Sequence, residues 1–178
     1  EDEGNESECI NTLLTRSIDG IILVPCGERP ESLEKIDEQT PIVLIDRYFE
    51  DTSLSYICTD NYRGALDGVK LLIENGHKEI LCIRGVPHSM PSKERVKGYI
   101  DALRESGFDT RSRITGNDYS ITNGYLETKL AIGSPARPTA IFALSNTIML
   151  GAIRAIGVST SLPAVMIRSA NSSTTTTI

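Results

Sequence analysis

Unbroken apolar runs recur along the chain. They are GIILVP (20–25), IVLID (42–46), LSYICT (54–59), EILCIRG (79–85) and AIFALS (140–145). Strands that are covered on both faces of a parallel sheet have this continuous apolar character, whereas strands with one face in solvent alternate apolar and polar residues. We therefore predict that these segments are strands of a mainly parallel sheet.

Segments with helical periodicity lie between the runs. Three apolar stripes each end at a glycine, which commonly stops a helix: Ala65–Ile73 before Gly76, Val96–Leu103 before Gly107, and Ile148–Ile156 before Gly157. Strand and helix thus alternate, which predicts an α/β architecture. The chain opens on a helical segment, ESECINTLLTRSI, with no strand before it, so we expect a further unit upstream.

Composition excludes several classes of function. The 178 residues carry a net charge of −6, so there is no overall basic surface for nucleic acid or anionic membrane. The four cysteines are widely spaced without a CxxC pair, which favours free thiols in a reducing, cytoplasmic setting over disulfides or zinc. No apolar run approaches the roughly 20 residues of a membrane-spanning helix. We predict no membrane association, no metal and no cofactor.

Polar residues follow two of the predicted strands. Ligands of parallel α/β sheets bind outside the carboxyl ends of the strands. Asp46-Arg47 could form a solvated ion pair in a surface turn, or Asp46 could accept hydrogen bonds from ligand hydroxyls. Ser145-Asn146 could simply cap the following helix, or could cap it and also face a ligand.

Two further residues are candidates for ligand contact. If Ser92 caps its helix, Arg95 lies in the first turn, where the helix dipole disfavours a cation. A local rule broken in this way points to function, although a solvated arginine is the simpler alternative. Tyr119 could anchor a loop or stack on a flat ligand. We find no nucleophile elbow, Walker A loop or GxGxxG, so a binding module is favoured over an enzyme.

Several segments together resemble the effector-binding core of the lactose-repressor (LacI/GalR) family of transcription regulators. In family order they are SIDGIILVP, PIVLIDR, TDNYRGA, LLIENGHKEILCIRG, ERVKGYIDALRESGF, GNDY…GY and TAIFALSNTIMLGAIRAIG. The resemblance implies a two-lobed, periplasmic-binding-protein-like (type I) α/β fold with parallel sheets, incomplete in this chain. Residues 1–59 would belong to the N-terminal lobe and 60–158 to the C-terminal lobe, with a small-molecule effector between them.

The resemblance also assigns ligand-binding roles to individual residues. Asp46 and Arg95 match family positions that bind a sugar or nucleobase, and Tyr119 matches an aromatic residue that stacks on the ligand. Arg47 could face the ligand or partner Asp46. The family's Asn-Asp pair is replaced by Ser145-Asn146, so one carboxylate is lost.

The chain departs from the family pattern at both ends. It has no helix-turn-helix headpiece, so DNA would be bound only through a headpiece outside these residues, in a full-length homodimer. Residues 159–178 are atypical and are either a disordered Ser/Thr-rich tail or out-of-frame sequence. The alternative function is a periplasmic sugar-binding protein of a transporter, and an enzyme acting on a small carbohydrate is a third hypothesis.

Overall fold

The chain folds into two compact units, each built around its own sheet. The computed structural model describes residues 3–26, 30–108, 113–157, 166–169 and 175–177. The first unit comprises Glu1–Thr59 with Ser89–Pro91, and the second comprises Asp60–His88 with Ser92–Ile178. The strands in both sheets pair in parallel, except at one edge. The predicted α/β class with parallel sheets is therefore confirmed.

The first unit has a three-stranded sheet in the order β1-β2-β3. Its elements are α1 (Glu3–Leu14), β1 (Ile21–Leu23), α2 (Glu31–Asp37), β2 (Ile42–Ile45) and β3 (Ser55–Ile57). Its core joins Ile10 of α1 and Leu33 of α2 to Ile21, Ile42 and Leu44 of the sheet. Both helices thus contribute to the core on one face of the sheet.

The other face of this sheet carries exposed apolar side chains. Ile22 is 75% exposed and Ile57 is 69% exposed, and Ile57 pairs in register with Ile45, which is also exposed. The sequence predicted strands covered on both faces, and for this sheet that prediction is wrong within the described residues. The reason is that β2 and β3 are joined without a helix, while α1 and α2 both pack on the opposite face.

The second unit has a five-stranded sheet in the order β5-β4-β6-β7-β8. Its elements are α3 (Asn61–Glu74), β4 (Ile80–Ile83), α4 (Met90–Glu105, of which the first two residues are grouped with the first unit), β5 (Arg113–Thr115), α5 (Ile121–Gly133), β6 (Ala140–Ala143), α6 (Asn146–Gly157), β7 (Met166–Ser169) and β8 (Thr175–Thr177). Among the strands that the structure describes, only β8 pairs antiparallel. Asp60 caps α3 by accepting the Arg63 N–H at 2.9 Å, and α3 stops before Gly76, whose φ is +87°.

Helices cover both faces of the second sheet. The side chains of β4 alternate, so that Ile80 and Cys82 pack against α3 and α4, while Leu81 and Ile83 pack against α6. Helices α5 and α6 approach closely through two glycines. A Cβ at Gly124 would collide with the Ile148 carbonyl oxygen, and one at Gly151 would collide with that of Ile121.

The sequence missed some elements and misplaced others. It did not predict α2, α5 or β5, and α4 begins at Met90 rather than after Ser92. The predicted irregular tail includes two strands, Met166–Ser169 and Thr175–Thr177, whose backbones pair with each other. Residues 158–165, 170–174 and 178 lie outside the described part.

Candidate functional site

Asp46 follows the carboxyl end of β2 in a strained turn. Its φ is +66°, and the Arg47 N–H donates to the Ile45 carbonyl oxygen at 2.7 Å across it. This is a γ-turn with positive φ at its centre, an unfavourable conformation for a non-glycine residue. The Asp46 N–H also donates to the Ile57 carbonyl oxygen at 3.0 Å. Two backbone hydrogen bonds thus fix this turn, while Asp46 is exposed. Strained residues of this kind cluster at functional sites, which makes Asp46 a candidate for ligand contact.

The residues after Asp46 hold this turn against the sheet. Phe49 is buried in the core of the first unit, and the Tyr48 ring stacks on Tyr56 of β3 with centroids 4.3 Å apart. Arg47 is half-buried between the exposed Asp46 and these aromatic residues. The two aromatics behind the charged pair therefore have a structural role, because they anchor the loop.

Arg95 is a buried cation at the carboxyl end of β6. Its side chain is on α4 and is only 7% exposed. Its Nε donates to Asn61 Oδ1 at 2.9 Å, and its Nη1 donates to the Leu144 carbonyl oxygen at 2.6 Å. The sequence offered a solvated arginine as the simpler alternative, and this burial excludes it. Since buried charges need such partners, the guanidinium is held in one place.

Asn61 was not among the predicted ligand-binding residues, although the TDN segment was noted. Its side chain is 4% exposed and bridges two charged residues of α4. While Oδ1 accepts from Arg95, Nδ2 donates to Glu94 Oε2 at 3.0 Å. In the sequence, the only local sign of a role for Asn61 is its place directly after the capping Asp60. Its hydrogen-bond partners Glu94 and Arg95 lie more than 30 residues away.

Ser145 begins α6 and also joins a chain of hydroxyl groups. Its Oγ accepts the Ile148 N–H at 3.2 Å, which makes it the N-cap. The same oxygen lies 2.9 Å from Thr147 Oγ1, which donates to the Tyr119 carbonyl oxygen. Ser145 is buried, whereas Asn146 is exposed in the first turn. Thr147, which the sequence did not single out, thus links Ser145 to the Tyr119 segment.

Tyr119 lies over the end of β4. A Cβ at Gly85 would collide with the Tyr119 ring, so this glycine makes the close approach possible. Asn123 fixes the adjoining loop, because its Nδ2 donates to the Arg84 carbonyl oxygen at 3.1 Å and to that of Asp118 at 2.6 Å. Tyr119 is half-buried against the α6 side of the core. The structure therefore supports a loop anchor that leaves part of the ring accessible.

Three of the predicted residues, Arg95, Tyr119 and Ser145, come together in the second unit. Arg95 binds the carbonyl of Leu144, the residue before Ser145, and Thr147 joins Ser145 to Tyr119. Asp46 and Arg47 belong to the first unit. Each group follows carboxyl ends of parallel strands, which is where α/β sheets bind ligands.

Two titratable groups beneath this site are kept neutral. Burial raises the pKa of the Cys82 thiol well above its usual range. Burial likewise raises the pKa of the Tyr99 phenol, whose hydroxyl donates to the Ile80 carbonyl oxygen at 2.8 Å. A thiol of raised pKa is a poor nucleophile, so both residues serve the core. Among the described residues, no three His, Cys, Asp or Glu side chains are grouped as metal ligands.

No helix in the described segments is sufficiently long and apolar to cross a membrane.

Comparison with known proteins gives a consistent set of similarities. Residues 1–165 match the family model described as periplasmic binding proteins and sugar binding domain of LacI family. The chain is 33% identical over 153 residues to the HTH-type transcriptional repressor CytR of Escherichia coli K12, covering 83% of this chain and 44% of that protein.

A further curated protein and a solved structure are also similar to this chain. Catabolite control protein A of Priestia megaterium is 30% identical over 156 residues, covering 86% of this chain and 47% of that protein. The crystal structure of a transcriptional regulator of LacI family from Burkhoderia phymatum superposes with a TM-score of 0.75 at 26% identity, covering 89% of this chain and 60% of that one. The chain thus spans less than half of the length of these two curated relatives.

Proposed function

Because the chain belongs to the family of periplasmic binding proteins and LacI-type sugar-binding domains, we propose that it is the effector-binding part of a LacI-type transcription regulator. The observation that carries the proposal is the buried Arg95, which Asn61 and the Leu144 carbonyl hold at the carboxyl end of β6. A cation fixed in this way suits recognition of an oxygen-rich small molecule. The effector is a sugar or a sugar derivative.

Each predicted residue has a role in this proposal. Asp46 accepts hydrogen bonds from ligand hydroxyl or amine groups, and Arg47 supports it. Arg95 donates to ligand oxygens. The accessible part of the Tyr119 ring stacks on an apolar ligand face. The Ser145 hydroxyl caps α6 and contacts the ligand together with Asn146, so that one short segment serves both stability and binding.

The ligand acts by shifting a conformational equilibrium. It stabilises one of two arrangements of the effector-binding part, and in the full-length protein this changes the affinity of a helix-turn-helix headpiece for operator DNA. The repressor names of several relatives support this reading. The protein needs no cofactor and catalyses no reaction, and it works in the cytoplasm, where its DNA is.

The full-length regulator is a homodimer in this proposal. Three leucines on α5 and α6 support a contact with a second copy, since large apolar side chains in solvent commonly mark an interface. Leu126 is 52% exposed, Leu130 is 71% exposed and Leu150 is 41% exposed.

The alternative is a periplasmic binding protein that delivers sugar to a transporter. The family includes such proteins, so the fold does not separate the two functions. The repressor names among the relatives favour the regulator. The two functions differ in one measurable respect, because only the regulator changes its DNA affinity when the ligand binds.

Thermal-shift screening of the full-length protein against sugars, sugar phosphates and purines tests the binding proposal. The informative variant is Asp46→Asn, because asparagine tolerates the positive φ of this position while the carboxylate is lost. Asp51→Asn, an exposed neighbour in the same loop, is the matched control. We expect the ligand-induced rise in Tm to disappear in Asp46→Asn and to persist in Asp51→Asn. A rise that persists in both variants would refute the site.

Arg95 requires a milder substitution. Because it carries two hydrogen bonds inside the second unit, Arg95→Ala would destabilise the protein and confuse the readout. Arg95→Lys keeps the charge but loses the planar donor geometry. We expect it to weaken ligand binding about tenfold or more, whereas Arg154→Lys on the exposed surface of α6 should leave binding unchanged.

A further inference from the structure

A basic cavity lies along α4, within the second unit. Its volume is about 420 Å³, and its lining contains four basic residues, Arg84, Lys93, Lys97 and Arg104, against one acidic residue, Asp101. The size falls within the range of small-molecule sites, about 300–1,000 Å³. The charge stands out because the whole chain has a net charge of −6. We refer to this cavity as the α4 pocket.

Two basic groups of the α4 pocket, those of Arg84 and Lys97, are held in place rather than neutralised. Arg84 Nε donates to the Gly116 carbonyl oxygen at 3.1 Å, and Lys97 Nζ lies 5.2 Å from the centroid of the Tyr62 ring. Within the described part of the chain, neither residue makes an ion pair with a carboxylate. Their positive charges therefore remain available to an anion, in positions fixed by a carbonyl group and an aromatic face.

The one carboxylate of the α4 pocket is already engaged. Asp101 Oδ1 accepts from Arg104 Nη1 at 2.7 Å, and Oδ2 accepts from the Tyr62 hydroxyl at 3.2 Å. Asp101 thus offsets mainly Arg104, whose side chain is 66% exposed. The positive charges of Arg84 and Lys97 are not offset in this way, and both residues line the α4 pocket together with Pro87.

Apolar side chains complete the lining. Val96 and Ile100 of α4 line the α4 pocket together with Pro87, and both are half-buried against the core of α3 and α4. An inorganic anion would use only the charges, whereas an organic phosphate with a flat apolar part would use both components. We propose that the α4 pocket binds a phosphorylated metabolite of this kind, with the chemistry of a nucleotide, as a second input that is separate from the effector.

The proposal does not depend on the proposed effector function. None of Asp46, Arg47, Arg95, Tyr119, Ser145 and Asn146 lines the α4 pocket. Substitutions in the two sites therefore have separable effects. Loss of effector binding in Asp46→Asn would leave this inference standing, and absence of any effector would not contradict it.

Isothermal titration of the full-length protein with ADP, adenosine and pyrophosphate tests the inference. ADP combines the charged and the flat part, whereas adenosine lacks the phosphates and pyrophosphate lacks the base. We expect ADP to bind at least about tenfold more tightly than either fragment, since each component contributes separately. Binding of ADP should also weaken as salt rises, because exposed charges are screened. If ADP binds no more tightly than adenosine, the inference is wrong.

A matched pair of variants locates the site. The Lys93→Gln/Lys97→Gln double variant removes two charges from the α4 pocket. Lys129→Gln is the matched control, because it removes a cation on α5 that lies outside the pocket. Lys129 Nζ is 5.5 Å from the centroid of the Tyr125 ring, a contact similar to that of Lys97 with Tyr62. We expect the Kd for ADP to rise about tenfold or more in the double variant and to stay unchanged in Lys129→Gln. An equal Kd in both would overturn the assignment, as would loss of ADP binding in Asp46→Asn.

Discussion

The contact between Arg95 and Asn61 should be one of the strongest polar interactions in the second unit. Arg95→Met replaces the guanidinium with an apolar chain and leaves Asn61 Oδ1 and the Leu144 carbonyl oxygen without this donor. Each buried acceptor left unsatisfied costs about 1–3 kcal/mol. Part of this cost is offset, because the variant no longer has to bury a charged group. We therefore expect a loss of about 3 kcal/mol in the free energy of unfolding.

A double-mutant cycle separates the pair from its surroundings. Asn61→Ala removes the acceptor for Arg95 Nε together with the donor to Glu94, so each single variant loses the shared bond. Residues in contact typically show coupling of about 0.5–3 kcal/mol. We expect the double variant to be at least about 1 kcal/mol more stable than the sum of the single effects predicts.

Urea denaturation of the full-length protein, followed by circular dichroism, measures these differences. Arg154→Met is the control, since Arg154 is exposed on α6 and its substitution should change stability by less than about 0.5 kcal/mol. Two results would refute the reasoning. One is a cost of Arg95→Met as small as that of the control, and the other is additivity of Arg95→Met and Asn61→Ala.

Two further predictions concern the core of the second unit. Gly124→Ala should lower the free energy of unfolding by about 2 kcal/mol, because the new methyl group meets the Ile148 carbonyl. Gly133→Ala on the same helix is the control, and it should be neutral or slightly stabilising because open space surrounds this residue. Equal Tm values for the two variants would contradict the close packing of α5 against α6. Burial raises the pKa of Tyr99, so its contribution to stability is complete below about pH 10, where an unfolded tyrosine keeps its proton, and declines as the pH rises further. Tyr99→Phe should therefore lose less stability than the wild type between neutral and alkaline pH in urea titrations, and an unchanged slope would show that the phenol is not protected.

For two of the strands that the sequence predicted, burial on both faces leaves a local record in the sequence. The runs at 80–83 and 140–143 consist of residues whose apolar character is continuous, because helices pack on both faces. Strand β5, with only Arg113, Ile114 and Thr115 at the edge of the sheet, has no such run. Short edge strands are defined by pairing with a distant neighbour, which a local pattern does not contain.

Helix α5 was missed for a different physical reason. Its buried positions are Asn123, Gly124, Thr128 and Ile132, which are spaced as a helical stripe but are mostly small or polar. They suit the close approach to α6 that Gly124 allows. A search for large apolar residues at helical spacing finds nothing in such a face, because contact between backbones needs small side chains instead.

The candidate site was predictable only in part. Strand ends pointed to Asp46 and Ser145, because parallel strands expose their carboxyl ends in a regular way. Arg95 was chosen partly from a helix start at Ser92, whereas α4 begins at Met90, so that argument rested on the wrong turn. Its partners Asn61 and Leu144 lie 34 and 49 residues away in the sequence. Long-range hydrogen bonds of this kind become visible only in the folded chain.

The central claim is that ligand binding by this chain controls a transcription regulator. The direct test measures the operator affinity of the full-length protein by fluorescence anisotropy, with and without the compound that gives the largest thermal shift. We predict that this compound changes the operator Kd by about tenfold or more, and that the response disappears in Asp46→Asn but persists in Asp51→Asn. A compound that binds the protein and leaves its operator Kd unchanged would contradict the account.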